Sequence, residues 1–209
     1  MLKRPAFFLD VQICTGCKTC VIACKDRNDL PMGVRWRRVV EFAGGDWLQQ
    51  ADGTFSQSVF AYYISVSCNH CREPVCVRTC PSAAMNRDDD GIVSVDPQKC
   101  LGCRYCEWSC PYSAPQFDQA LGQMTKCDFC REDLVQGGVP ACVAGCPTRA
   151  LQFGEYDQLA ARYGVDRPMD PLPPTAITEP NFILEPHQDA VPEQTRSGAV
   201  ANPEEVKDA

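Results

Sequence analysis

The 209-residue chain has no run approaching eighteen apolar residues, so no segment reads as a membrane span. It has no basic run either. Its 20 Lys and Arg face 27 Asp and Glu for a net charge of -7, a poor match to a polyanionic nucleic acid. It lacks the G-x-S-x-G elbow, the phosphate loop and G-x-G-x-x-G, which removes the usual signatures of hydrolytic and nucleotide chemistry. The start, MLKRPAFFLD, is basic, but its apolar stretch is only AFFL before Asp10, too short for a secretory core. Arg37 and Arg38 form a twin pair inside a strand-like stretch and do not read as an export signal. The expectation is folding in a reducing compartment, where disulfides are rare.

What is there in excess is cysteine. Hydrophobic content (44%) and charge (22%) are ordinary for a globular chain, so the sixteen cysteines are the outlier and call for disulfides or metal. They fall into four groups of four with none left over: Cys14, Cys17, Cys20, Cys24; Cys68, Cys71, Cys76, Cys80; Cys100, Cys103, Cys106, Cys110; and Cys127, Cys130, Cys142, Cys146. Groups one and three read C-x2-C-x2-C-x3-C, and groups two and four lengthen the gap before the third thiol. Pro81, Pro111 and Pro147 follow the last cysteine of three groups, and Lys25 stands there in the first. This is the bacterial ferredoxin run, in which three thiolates take one cubane and the fourth, expected to enter a short helix, takes the neighbouring one. Zinc is the rival reading. It uses two CxxC knuckles a dozen or more residues apart, and three thiols at the pitch of groups one and three would crowd a tetrahedral ion.

The chain repeats itself. LDVQICTGCKTCVIAC at 9–24 aligns with VDPQKCLGCRYCEWSC at 95–110, and CPSAAM at 80–85 with CPTRAL at 146–151. Groups one and three are therefore one kind of half and groups two and four the other. Groups two and three lie close together, around a turn at Asp90-Gly91 and an alternating strand at Ile92–Val95, so local closure costs little. Groups one and four then pair across the chain. The ligand sets follow: Cys14, Cys17, Cys20 and Cys146; Cys127, Cys130, Cys142 and Cys24; Cys68, Cys71, Cys76 and Cys110; and Cys100, Cys103, Cys106 and Cys80. Every position is cysteine, so all four should be [4Fe-4S]. The alternative pairs one with two and three with four, and must close the 25–67 insertion.

The expected fold is α+β: two intertwined bacterial-type two-cluster ferredoxin units. Residues 1–33 with 112–164 make the first and 68–111 the second. Residues 34–67 form a β-hairpin insertion with strands over 34–42 and 59–67, and 165–209 a proline-rich extended tail, open to disorder from 187 onward. Residues 155–163 predict a short amphipathic helix closed by Gly164. Trp36, Tyr62 and Tyr63 could relay electrons, but core and sheet packing is the simpler reading. His70, between Cys68 and Cys71, has no vacancy to fill as a ligand, which leaves an outer-shell or surface role. Lys18, Arg72, Arg104, Lys126 and Arg131 lie in or beside the cysteine groups, where positive charge stabilises a reduced cluster. Solvated surface is the plainer reading of each.

FFLDVQICTGCKTC, VFAYYISVSCNHC, CLGCRYC and GQMTKCDFC, with FAGGDW at 42–47 and ALQFG at 150–154, resemble the iron–sulfur subunits of the bacterial dimethyl sulfoxide reductase type, over nearly the whole chain. These stand within the four-cluster ferredoxin subunits of molybdopterin oxidoreductases. The resemblance implies a non-catalytic electron carrier of anaerobic respiration with two partners: a molybdopterin catalytic subunit and a multi-pass membrane anchor that oxidises menaquinol. It implies the same cross-pairing, with the Cys100, Cys103, Cys106, Cys80 cluster nearest the anchor and the Cys14, Cys17, Cys20, Cys146 cluster nearest the catalytic subunit. Electrons would pass group three, two, four, one. Nitrate reductase-type relatives carry tryptophan where this chain has Cys103. The place implied is the membrane periphery, after folding in the cytoplasm and with co-export beside a twin-arginine partner open. The same role in a formate dehydrogenase, polysulfide reductase or hydrogenase complex, or as a free polyferredoxin, is the alternative.

Overall fold

A computed structural model describes residues 3–165, 169–190 and 198–207. Strand β1 (Pro5–Asp10) leads through the first cysteine loop into helix α1 (Thr19–Arg27). Strands β2 (Arg38–Gly44), β3 (Trp47–Gln49), β4 (Phe55–Gln57) and β5 (Phe60–Val66) follow. Helix α2 (Val75–Arg78), strands β6 (Met85–Arg87) and β7 (Val93–Val95) and helix α3 (Tyr105–Ser109) carry groups two and three. Strands β8 (Gln116–Asp118) and β9 (Gln123–Thr125), helices α4 (Arg131–Val135) and α5 (Ala141–Ala144), strand β10 (Leu151–Glu155) and helix α6 (Tyr156–Tyr163) come next. A 3-10 turn at Thr175–Ile177, strands β11 (Phe182–Glu185) and β12 (Gly198–Val200) and helix α7 (Pro203–Lys207) complete the described chain. The architecture is α+β.

β1 is the middle strand of a three-stranded sheet, antiparallel to β10 and parallel to β11. Its AFFL core is apolar at successive positions because both faces are covered. Phe7 and Leu9 enter the main core beside the cysteines. Ala6 and Phe8 face α6 and its Leu159. Phe8 stacks on Tyr163 with ring centroids 3.7 Å apart. The expected helix at 155–163 is present from Tyr156, and Gly164 follows it with φ 84°, a left-handed backbone that favours glycine.

The insertion is a β2–β5 hairpin, paired from Arg38↔Val66 to Gly44↔Phe60, with the exposed β3–β4 ribbon at its tip. The first strand starts four residues later than the sequence suggests. The Gln116 side chain explains this. It accepts from Arg35 N at 2.5 Å and donates to Arg35 O at 2.6 Å, satisfying the backbone that a partner strand would otherwise pair. Likewise Ile92 lies outside β7, because its N–H is held by Asp88 Oδ1 at 2.8 Å in the preceding turn.

The C-terminal part departs furthest from expectation. β11 is not a surface strand: Ile183 and Leu184 are buried, and Asn181, fully buried, donates to His70 O at 2.7 Å. β12 adds to the edge of β2, and Asn202 clamps that strand by accepting from Glu41 N and donating to Val39 O. Of the stretch expected to be open to disorder, 187–190 and 198–207 are described, with β12 and α7 in the latter; 191–197 and 208–209 lie outside the described residues.

Candidate iron–sulfur sites

The third cysteine of every group sits in a helix: Cys20 in α1, Cys76 in α2, Cys106 in α3 and Cys142 in α5. The fourth was expected to enter a helix. Instead Cys80, Cys110 and Cys146 lie just past helix ends. The proline that follows each cannot continue a helix and disfavours helical backbone in the residue before it. Group one has Lys25 there, so α1 runs on to Arg27 and keeps Cys24 inside it. Gly16 and Gly102, matched in the repeat, both take positive φ (66° and 65°), as do Lys18 and Arg104 at the starts of α1 and α3. A Cβ on Gly102 would lie 2.3 Å from Gly122 O, and one on Gly16 would lie 2.4 Å from the Tyr63 ring. Both loops need glycine for close approach.

Cys14, Cys17, Cys20 and Cys146 line one cavity, floored by Leu9, Val39 and Leu151. Cys80, Cys100, Cys103 and Cys106 line a second, against Met85 and Met124. The thiols that act most on Cys24 are Cys142 and Cys130, and those that act on Cys127 are Cys24, Cys68 and Cys142. Cys71 and Cys76 each feel Cys68 and Cys110. Burial, and then neighbouring thiols, push Cys14 up to about 11, Cys71 to about 12 and Cys106 to about 12. Burial also raises Cys24, to about 12, although Arg37 opposes it. Such crowded buried thiols resist ionisation together, and coordination to iron, which deprotonates a thiol outright, resolves that conflict. The donor set fits a cubane: four sulfurs per site and no carboxylate among them. Among the described residues no group of three or more His, Cys, Asp or Glu is placed to hold a single metal ion. Backbone N–H groups already point at sulfur, Met85 N to Cys80 Sγ and Met124 N to Cys100 Sγ, both at 3.4 Å.

The sites adjoin in series. α1 packs on α5, and Cys20 feels both Cys142 and Cys146. Cys127 feels Cys68, and the His70 and Phe129 rings stack between those two groups at 3.8 Å. α2 packs on α3, with Thr79 and Ser109 hydroxyls 2.9 Å apart. Cys17 and Cys103 are the two exposed thiols of the sixteen.

The charges near the sulfurs divide sharply. Lys18, Arg72, Arg104 and Arg131 are surface groups paired with Glu205, Glu179, Glu107 and Asp88. Lys126 is not surface: it is 4% exposed and donates to Val93 O and Cys127 O. Sequence reasoning missed two more. Arg37, just before β2, and Arg38, its first residue, are 1% and 3% exposed and reach different partners: Ser65 and Ser67 for the first, Tyr112 O for the second. Arg38 donates to Tyr112 O and Val206 O beside Cys110. The signal in the sequence is the adjacent charged pair itself, in a stretch that also carries Arg35 and Glu41.

His70 is fully buried rather than exposed, and its Nδ1 accepts from Val93 N at 3.0 Å. Trp36 donates to Thr125 Oγ1 at 3.0 Å and Tyr62 to Asp170 O at 2.8 Å, while Tyr63 packs on Gly16, all sheet and core contacts.

Residues 59–156 match the 4Fe-4S dicluster domain family. The protein is 48% identical over 205 residues to the B subunit of anaerobic dimethyl sulfoxide reductase from Haemophilus influenzae, covering 98% of this sequence and 100% of that one. Against the Escherichia coli protein of that name it is 48% identical over 206 residues, 99% and 100% of the two sequences. It is also 40% identical over 150 residues to the thiosulfate reductase electron transfer subunit PhsB of Salmonella typhi, 71% of this sequence and 74% of that one. With its sixteen cysteines, the chain carries four [4Fe-4S] clusters and works in electron transfer. It belongs to the family of iron–sulfur B subunits of anaerobic dimethyl sulfoxide reductase.

Proposed function

We propose that this chain is a non-catalytic relay between a quinol-oxidising multi-pass membrane anchor and a molybdopterin catalytic subunit. Bound clusters supply one-electron storage; the chain's residues fix where electrons enter and leave. The proposed ligand sets are Cys14, Cys17, Cys20, Cys146; Cys24, Cys127, Cys130, Cys142; Cys68, Cys71, Cys76, Cys110; and Cys80, Cys100, Cys103, Cys106. The cavities and thiol neighbourhoods above support them. On this reading residues 1–33 with 112–164 form one ferredoxin unit and 68–111 the other.

The observation that carries the relay reading is the pair of exposed thiols. Cys17 and Cys103 reach the surface, one in each of the sets at the ends of the series. The sets between them have no exposed thiol. Electrons therefore have one way in and one way out. Around Cys103, Leu101, Tyr105 and Trp108 are 71%, 52% and 74% exposed, an apolar surface suited to an anchor subunit. Among the described residues no helix is long and apolar enough to cross a membrane, so membrane attachment on this reading comes from that partner.

The test is an anaerobic pull-down through a tag on this chain, with elemental analysis and a Cys103→Ser variant. Iron with molybdenum is expected. The variant should keep dye-driven reduction of the terminal acceptor and lose most quinol-driven turnover. Iron without molybdenum, or unchanged quinol-driven turnover, overturns the proposal.

A further inference from the structure

Arg37 is a guanidinium with nowhere obvious to put its charge. It is 1% exposed, and no carboxylate lies within ion-pair distance of it among the described residues. Burying an unpaired cation is costly, so one that persists has a counter-charge. Its donors go across the hairpin. Nη1 reaches Ser65 Oγ at 3.0 Å and Ser65 O at 3.3 Å, and Nη2 reaches Ser67 Oγ at 2.9 Å. Its carbon lies 4.4 Å from the centre of the Phe7 ring. Nε has no partner, although it is buried.

Ser65 passes this on. Its oxygen accepts from Arg37, so its hydrogen is free for the Cys20 sulfur 3.3 Å away. Once Cys20 is a ligand thiolate, sulfur can only accept, and the chain Arg37→Ser65→Cys20 has a single polarity. The thiols acting on Arg37 are Cys142, Cys20, Cys127 and Cys24: one from the first proposed set and three from its neighbour.

We infer that Arg37 is the positioning residue of the junction between these two sites: it supplies the counter-charge of both and, through the Ser65 hydroxyl, a hydrogen bond to the Cys20 thiolate, making both easier to reduce. This rests on the ligand sets proposed above. A reduced cluster carries one more negative charge than an oxidised one, so a fixed cation beside it favours reduction, as does a hydrogen bond to its sulfur. Arg38, near Cys110, lacks this serine link to group one and serves a different neighbourhood.

The experiment is an anaerobic redox titration of the holoprotein complex followed by electron paramagnetic resonance, on Arg37→Gln, Arg37→Lys and Ser65→Ala. Loss of the same signal in Cys20→Ser and Cys146→Ser checks the ligand sets separately from Arg37. Arg37→Gln should shift the reduction equilibria of the Cys20 and Cys142 sites at least tenfold toward the oxidised form, about 59 mV for one electron. The Cys100 site should stay put. Arg37→Lys should keep most of the wild-type values, and Ser65→Ala should move the Cys20 site alone. Unchanged midpoints in Arg37→Gln, or an equal shift at the Cys100 site, overturn the inference. If Arg37→Gln loses clusters, a loaded, unshifted Arg37→Lys supports the charge role. If both lose clusters, Ser65→Ala decides: a Cys20-site shift supports the inference, and no shift overturns it.

Discussion

The imidazole of His70 lies face to face with the ring of Phe129, centroids 3.8 Å apart and planes 21° from parallel. Phe129 has no exposed surface and also meets Phe7 at 4.8 Å and Phe153 at 5.2 Å. One side chain thus joins the loop of group two, the loop of group four and the central strand of the first sheet. Phe129→Ala leaves a void at that join. It should lower stability by about 3–5 kcal/mol, the usual cost of truncating a buried phenylalanine. Denaturant unfolding of the anaerobic holoprotein, followed by loss of visible cluster absorbance, checks this; a loss under about 1 kcal/mol would mean the join is not structural.

The two repeat glycines should not be equivalent. Gly102→Ala sets a methyl against the carbonyl of Gly122, a backbone atom, whereas Gly16→Ala sets one against the side chain of Tyr63. Both also bear the strain of a left-handed backbone, roughly 1–2 kcal/mol. Iron per chain should fall in both variants and further in Gly102→Ala, with the loss there confined to the Cys103 end. Equal loss in the two would mean that the αL strain, not the contact, decides.

Lys18 and Glu205 link α7 to the first cysteine loop at 2.5 Å. Lys18, and then Asn202, hold the Glu205 carboxyl below its ordinary value of 4.5. A carboxyl depressed on folding stabilises above its unfolded value and loses that contribution as pH falls through the folded one. Both side chains are 43% exposed, so solvent screening keeps the effect below about 1 kcal/mol. Amide exchange at 203–207, corrected for intrinsic rates, should therefore be steady above pH 5 and quicken below about 4.5. Glu205→Gln should raise it at neutral pH and remove that acid step.

Much of this was legible because cysteine spacing and glycine placement act locally. Gly164 forecasts where α6 stops, whereas Pro81, Pro111 and Pro147 stood in plain view without being read as the stops that keep Cys80, Cys110 and Cys146 out of a helix. The ferredoxin spacing pointed to [4Fe-4S] clusters without any knowledge of the fold. What was not legible depended on distant chain. Nothing near Phe182 says that it will lie beside Phe7, because a short apolar stretch between prolines is as consistent with a loop as with a buried strand. Lys126 reads like the surface cations Arg104 and Arg131 until the carbonyls it serves are in place. Arg37 and Arg38 read as one pair, yet the first reaches Ser65 and Ser67 and the second Tyr112 O. Gln116, remote in sequence, decides where β2 begins by occupying the backbone of Arg35.

The register that sets Phe7 beside Phe182 orders the making of the molecule in time. β1 leaves the ribosome more than 140 residues before either of its neighbours, β10 and β11. Pairings between such distant segments form slowly, because a long loop must close before any contact rewards it. A nascent chain stalled before residue 182 therefore leaves one edge of β1 bare.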